Sequence, residues 1–334
     1  MKWYPWLRPA FEQLVASYQS GRGHHALLVQ ALPGMGADAL IYALTRFQMC
    51  HTPEGQKSCG KCHSCQLMQA GTHPDFYQMQ PEKGKSTLGI DAVRDITEKL
   101  YERARLGGAK VVWVSDAALL TEAAANALLK TLEEPPANTW FFLQCEEPAR
   151  LLATLRSRCR HFHLAPPAEN YGLAWLSREV TMSQESLLTA LRLTGGAPAA
   201  AMTLLDESNL TSRQQLCTAL DGTLQSGDWL SLLPVLNTDQ VADRLYWLAA
   251  LLLDAMKMQQ GISQLTNADS WELVRRIANT LSASRLQAII NDACTCRERL
   301  LTVTGLNREL MLNDSLLRWE HWLEPGVTLP VMNL

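Results

Sequence analysis

Between Ala26 and Leu164 short apolar runs alternate with stretches of helical periodicity, and few folds are open to a chain that alternates in this way. Strands buried on both faces read as continuous apolar runs, and two parallel strands need a crossover, usually a helix, to join them. Ala26 to Gln30 (ALLVQ), Lys110 to Val114 (KVVWV), Trp140 to Leu143 (WFFL) and His161 to Leu164 (HFHL) are the expected strands. The pattern predicts an α/β domain with a parallel sheet over residues 1–166.

After Pro166-Pro167 no run reads as a strand, and apolar residues recur at three- and four-residue spacing. Val241, Leu245, Leu248, Leu252 and Met256 mark one helix face, and Leu286, Ile289, Ile290, Ala293 and Leu300 mark another. Both stripes read as core contacts rather than ligand sites. A length of 334 residues calls for two or three domains at about 150 residues each. The expected division is 1–166, a small helical domain at 167–207 and a larger all-helical one at 208–334.

Composition excludes several classes. With 47% hydrophobic and 19% charged residues the chain is expected to fold. A formal net charge of -3 lacks the basic excess with which a stand-alone nucleic-acid binder neutralises phosphates. The opening MKWYPWLRPA, interrupted by Pro5 and Arg8, does not read as a signal peptide. The longest apolar stretch, Tyr246 to Leu253, falls well short of the roughly 20 residues of a membrane span. A cytoplasmic protein without membrane contact is the expectation.

Nine cysteines in such a compartment are not expected to form disulfides. Cys50, Cys59, Cys62 and Cys65 crowd together as C-x8-C-x2-C-x2-C. The x2 spacing lets tight turns aim successive thiolates at one ion, so a structural, closed Zn2+ site is expected. An iron–sulfur cluster is the main rival, although the ferredoxin run needs a further Cys where Gln69 stands, and a redox dithiol is another. Unliganded thiols are a third option, and His51 and His63 are candidate substitute ligands. Cys145, Cys159, Cys217, Cys294 and Cys296 are scattered and expected to be packed or inert.

The first expected strand runs into Ala31-Leu32-Pro33-Gly34-Met35-Gly36-Ala37-Asp38, followed by helical periodicity. A phosphate-binding loop of the form G-x-x-x-x-G-K-[ST] uses glycines to wrap backbone N–H groups round the phosphates. Its Lys meets the β/γ-phosphates and its hydroxyl holds magnesium. Here Ala31 replaces the first Gly, Ala37 the Lys and Asp38 the hydroxyl. A carboxylate beside a phosphate costs on the order of 4 kcal/mol per close unit-charge pair at an effective dielectric near 20. Asp38 can instead serve the first turn of the helix as a built-in anion. Taken alone, Pro33 to Gly36 reads equally well as a plain turn. Gly84-Lys85-Ser86 has no apolar strand leading into it and reads as a charged loop. After KVVWV a hydrolase would carry two acids, one for magnesium and one for the attacking water, and Ser115-Asp116 offers only one.

Ala123 to Pro136 reads AAANALLKTLEEPP, and Leu155 to Cys159 reads LRSRC. With the cysteine cluster after the first helix, these segments resemble the clamp-loader branch of the AAA+ ATPases, as found in bacterial DNA polymerase III. The resemblance is carried by the first 165 residues and beyond them by helical layout. It implies an AAA+ P-loop-type sheet domain with a zinc module at about 50–65, a small helical lid and an all-α collar. It implies gamma/tau-type motor subunits and a delta-type subunit as partners in a pentameric ring, acting on a sliding clamp and primer-template DNA. Arg158 would then be an arginine finger reaching a neighbour's ATP site; otherwise it is one of four clustered arginines, with Arg150, Arg156 and Arg160, solvated or paired.

The chain departs from active relatives at Ala31, Ala37, Asp38 and Ser115, and at Ala199, where a phosphate-sensing Arg is expected. Together the departures predict that this chain binds no ATP and serves as the inert stator of the ring. A self-sufficient ATPase with a diverged loop and a zinc-dependent DNA-binding module are the alternatives.

Overall fold

In the computed structural model, which describes residues 1–81, 84–303 and 305–330, the chain divides into two units, Met1–Pro167 and Ala168–Leu334. The first runs α1 (Leu7–Gln19), β1 (Ala26–Gln30), α2 (Ala37–Met49), α3 (His63–Ala70), β2 (Phe76–Met79), α4 (Ile90–Tyr101), β3 (Lys110–Val114), α5 (Glu122–Glu133), β4 (Thr139–Cys145), α6 (Ala153–Arg156) and β5 (Arg160–His163). The five strands form one parallel sheet in the order β2-β3-β4-β1-β5.

β1 and β3 are where their apolar runs predict. Each lies between two other strands, and Leu28, Val112 and Val114 are fully buried. β4 outlasts the run WFFL by one residue before and two after, because its ladder to β1 continues through Gln144 to Cys145. β5 begins one residue earlier than expected, pairing Leu27 with Arg160 and Gln30 with His163. No apolar run announces β2: FYQM has one buried residue, Met79, and owes its extended form to pairing with β3 at the sheet's edge. One face of the sheet packs Leu28, Val112, Phe141 and Leu143 against Leu128 and Leu132 of α5 and Leu155 of α6. Each such side chain contributes about 1.5–3 kcal/mol by leaving water.

The second unit is helical throughout its described residues: α7 (Glu169–Glu179), α8 (Gln184–Leu193), α9 (Pro198–Leu204), α10 (Glu207–Ser226), α11 (Leu233–Leu236), α12 (Val241–Gln259), α13 (Trp271–Thr280), α14 (Ala283–Thr302) and α15 (Arg308–Leu323). Leu176, Leu187, Leu191 and Ala201 form a small core between α7, α8 and α9. A larger one joins α10 to α15, with Trp229 edge-on to Trp319 at 6.0 Å. The two predicted stripes face this larger core, with Met256, Ile290 and Leu300 at its margin. Asp254, fully buried on α12, is tied to Lys257 Nζ and to the N–H groups of Thr266 and Asn267. No helix among the described residues is long and apolar enough to cross a membrane.

Candidate functional site

In a parallel sheet with crossover helices, ligands gather at the carboxyl ends of the strands. There β1 gives way to the loop Ala31 to Gly36, and α2 starts at Ala37. Gly34 and Gly36 have φ of 77° and 80°, a left-handed conformation that side chains resist. A Cβ on Gly36 would also lie 2.7 Å from the Tyr4 ring. The Trp6 indole N–H donates to the Met35 carbonyl at 2.9 Å, so the segment before α1 braces the loop from behind. The turn geometry of a phosphate loop therefore survives.

Its charges do not. The loop, the end of β3 and the end of β4 line a cavity of about 230 Å³, smaller than the roughly 300 Å³ at which ligand pockets usually begin. Asp38, Asp116 and Glu146 line it, and among the described residues no Lys or Arg does. Ala37 is buried at the helix start, whereas Asp38 is exposed in the first turn. Ser115 Oγ donates to the Met79 carbonyl at 3.1 Å. Asp116 accepts the Ala118 N–H at 2.9 Å and so caps the short turn Ala117–Leu119. One oxygen of the acid left after β3 is thus engaged by the backbone. Ala199 is buried in α9, and Gly84-Lys85-Ser86 lies in the connection to α4 rather than at a strand's end.

The four clustered cysteines converge. All four Sγ atoms lie within 4.8 Å of one another, with Cys50 to Cys59 at 3.5 Å, Cys50 to Cys62 at 4.0 Å and Cys59 to Cys65 at 4.0 Å. Four thiolates placed tetrahedrally at 2.3 Å round one zinc ion would be about 3.8 Å apart. A cluster, whose thiolates hold different irons, would spread them more widely. Hydrogen bonds from the Thr52 hydroxyl and from the N–H groups of Lys61 and Cys62 lower the Cys59 thiol to about 5. Burial opposes the lowering of Cys62, which the N–H groups of Cys65 and His51 bring about. Burial raises Cys50, and it pushes Cys65 up to about 12. His51 and His63 are exposed and stand outside the four-sulfur set. Of the remaining cysteines, burial pushes Cys145 to about 11 and Cys159 to about 12. Cys217 and Cys296 are buried, whereas Cys294 is exposed on α14.

Arg158 sits in the turn between α6 and β5 and is paired. Its Nε donates to Glu133 Oε1 at 2.6 Å, Nη2 reaches the same oxygen, and Nη1 donates to the Thr154 carbonyl at 2.7 Å. Arg150 pairs with Glu147 at 2.6 Å, Arg156 reaches the Pro148 carbonyl at 3.5 Å, and Arg160 is exposed on β5. Nothing in the sequence sets Glu133 apart within LKTLEEPP.

The parallel sheet, the glycine loop at its carboxyl edge and the helices that follow are the layout of an AAA+ P-loop-type protein. Residues 6–168 match the family described as DNA polymerase III, delta subunit; residues 167–206 match the AAA+ ATPase lid domain of DNA polymerase III subunit delta'; and residues 207–321 match the C-terminal region of the delta subunit family. The chain is 66% identical over 334 residues to DNA polymerase III subunit delta' of Escherichia coli K12, covering 100% of both chains. It is 51% identical to the same subunit of Yersinia pestis, covering 99% of each. A crystal structure of a gamma subunit-related protein from Thermotoga maritima matches with 19% identity and a TM-score of 0.47, covering 94% of this chain and 99% of that one. The chain belongs to the DNA polymerase III delta' subunit family.

Proposed function

We propose that this chain is the ATP-inert stator of a DNA polymerase III clamp loader and that it lends Arg158 to the ATP site of an adjacent motor subunit. The observation that carries the reading is the phosphate-loop cavity, which keeps its glycine turns but presents three carboxylates and no cation among the described residues. A triphosphate with magnesium needs the opposite balance. Arg158 is the remaining part of the catalytic apparatus. A permanently charged, planar guanidinium is suited to the charge that develops on a transferred phosphoryl group.

The partners in this reading are gamma/tau-type motors and a delta-type subunit in a five-membered ring, working in the cytoplasm to place a sliding clamp on primer-template DNA. Residues 1–166 supply the sheet domain, 167–207 the lid and 208–334 the ring-forming collar. Cys50, Cys59, Cys62 and Cys65 would hold a structural Zn2+, which would tie the segment between α2 and α3 to the first turn of α3.

Reconstitution of the ring with Arg158→Ala tests the proposal. Assembly should be intact and the DNA-stimulated ATPase lowered, while the wild-type chain alone should retain no labelled ATP in equilibrium dialysis. Full ATPase in the variant removes Arg158 from the mechanism, and micromolar binding of ATP by the lone chain favours a self-sufficient ATPase instead.

A further inference from the structure

We infer that Glu133 is a positioning residue for Arg158, fixing its guanidinium in the orientation that a neighbour's phosphate meets. This rests on the arginine-finger reading above. Arg158 lies at a turn, and a free arginine there would sample many rotamers. The fold removes that freedom from two sides. Leu132, 1% exposed, anchors the end of α5 in the core beneath the sheet, and Leu155, also 1% exposed, anchors α6 in the same core. Glu133 is the last residue of α5, and Pro135-Pro136 follow it, which cannot continue the helix. The backbone of Glu133 is therefore set beside the turn that carries Arg158, and its half-exposed side chain reaches across to the guanidinium.

The contacts leave the right part of the guanidinium open. A guanidinium has five N–H donors. The Nε edge is taken by a single oxygen, Glu133 Oε1, at 2.6 Å from Nε, and one N–H of Nη1 is taken by the Thr154 carbonyl at 2.7 Å. One N–H on each of Nη1 and Nη2 remains for a further acceptor. The side chain is 29% exposed, so those donors can be approached from outside the chain. An arginine held flat by a carboxylate on one edge and free on the other arrives at a phosphate without first losing its own disorder.

The test compares Glu133→Ala, Glu133→Gln and Arg158→Ala in the reconstituted complex, following kcat and KM of the DNA-stimulated ATPase, with assembly checked by gel filtration. Both contacts converge on one carboxylate oxygen, which the glutamine amide reproduces and alanine does not. Glu133→Ala should therefore lose at least about half of the kcat lost in Arg158→Ala, at unchanged KM for ATP, and Glu133→Gln should recover most of that loss. ATPase at the wild-type level or above in an assembled Glu133→Ala complex would overturn the inference, as would equal losses in the alanine and glutamine variants. Should Arg158→Ala itself keep full activity, the finger reading fails first, and the assignment of Glu133 falls with it.

Discussion

Asp38 stands where a working phosphate loop places a hydroxyl, and its replacement by Ser tests whether charge is what keeps phosphate out. At 4 Å from a phosphate oxygen a carboxylate costs ~4 kcal/mol at an effective dielectric of 20 and ~1 kcal/mol in bulk water. Asp38 is exposed while the cavity it borders is recessed, so its cost falls between these limits. Asp38→Ser should therefore tighten tripolyphosphate binding by about fivefold to 1,000-fold, and the doubly substituted A37K/D38S more, since an ammonium then replaces a methyl at the cradle. Both loop glycines keep the left-handed turn in which backbone N–H groups can face an anion. Amide resonances of Gly34 and Gly36, followed by NMR during titration with tripolyphosphate into the millimolar range, report occupancy even when binding is weak. Asp38→Ser binding no more tightly than wild type would refute the electrostatic argument. So would wild-type saturation in the micromolar range.

Metal analysis of the purified chain should find one zinc per molecule, and Cys59→Ser, which removes one of four converging thiolates, should bring this well below one; full occupancy in the variant would show that Cys59 is not a ligand. Burial works against ionisation of Asp254, but the N–H of Thr266, the Lys257 ammonium and Asn267 outweigh it and hold the carboxyl below its ordinary 3.8. A depressed folded-state pKa stabilises the fold above the unfolded value and stops doing so as pH falls through the folded one. In urea unfolding, Asp254→Asn should therefore lose about 3 kcal/mol at pH 7. The gap from wild type should be flat down to about pH 5 and narrow below about pH 4, and a gap independent of pH would contradict the assignment.

What could be read in the sequence was whatever the chain settles locally. KVVWV and ALLVQ announce buried strands because burial on both faces requires unbroken apolar side chains, and the x2 cysteine spacing announces convergence because a tight turn suffices. FYQM gave no such sign, since a strand at the sheet's edge is held by its neighbour's ladder and not by its own side chains. Glu133 and Arg158 are separated by 25 positions, and only the packing of Leu132 and Leu155 into one core brings them together. Asp116 shows the same limit from the other side. Its type and its place after β3 suggest a residue for magnesium, yet its carboxylate is bound to the Ala118 N–H, a bond that depends on the turn taken next. Restoring a second acid at Ser115 would not by itself restore a magnesium-nucleotide site, because the cavity would then hold four carboxylates and, among the described residues, still no Lys or Arg to meet the phosphates.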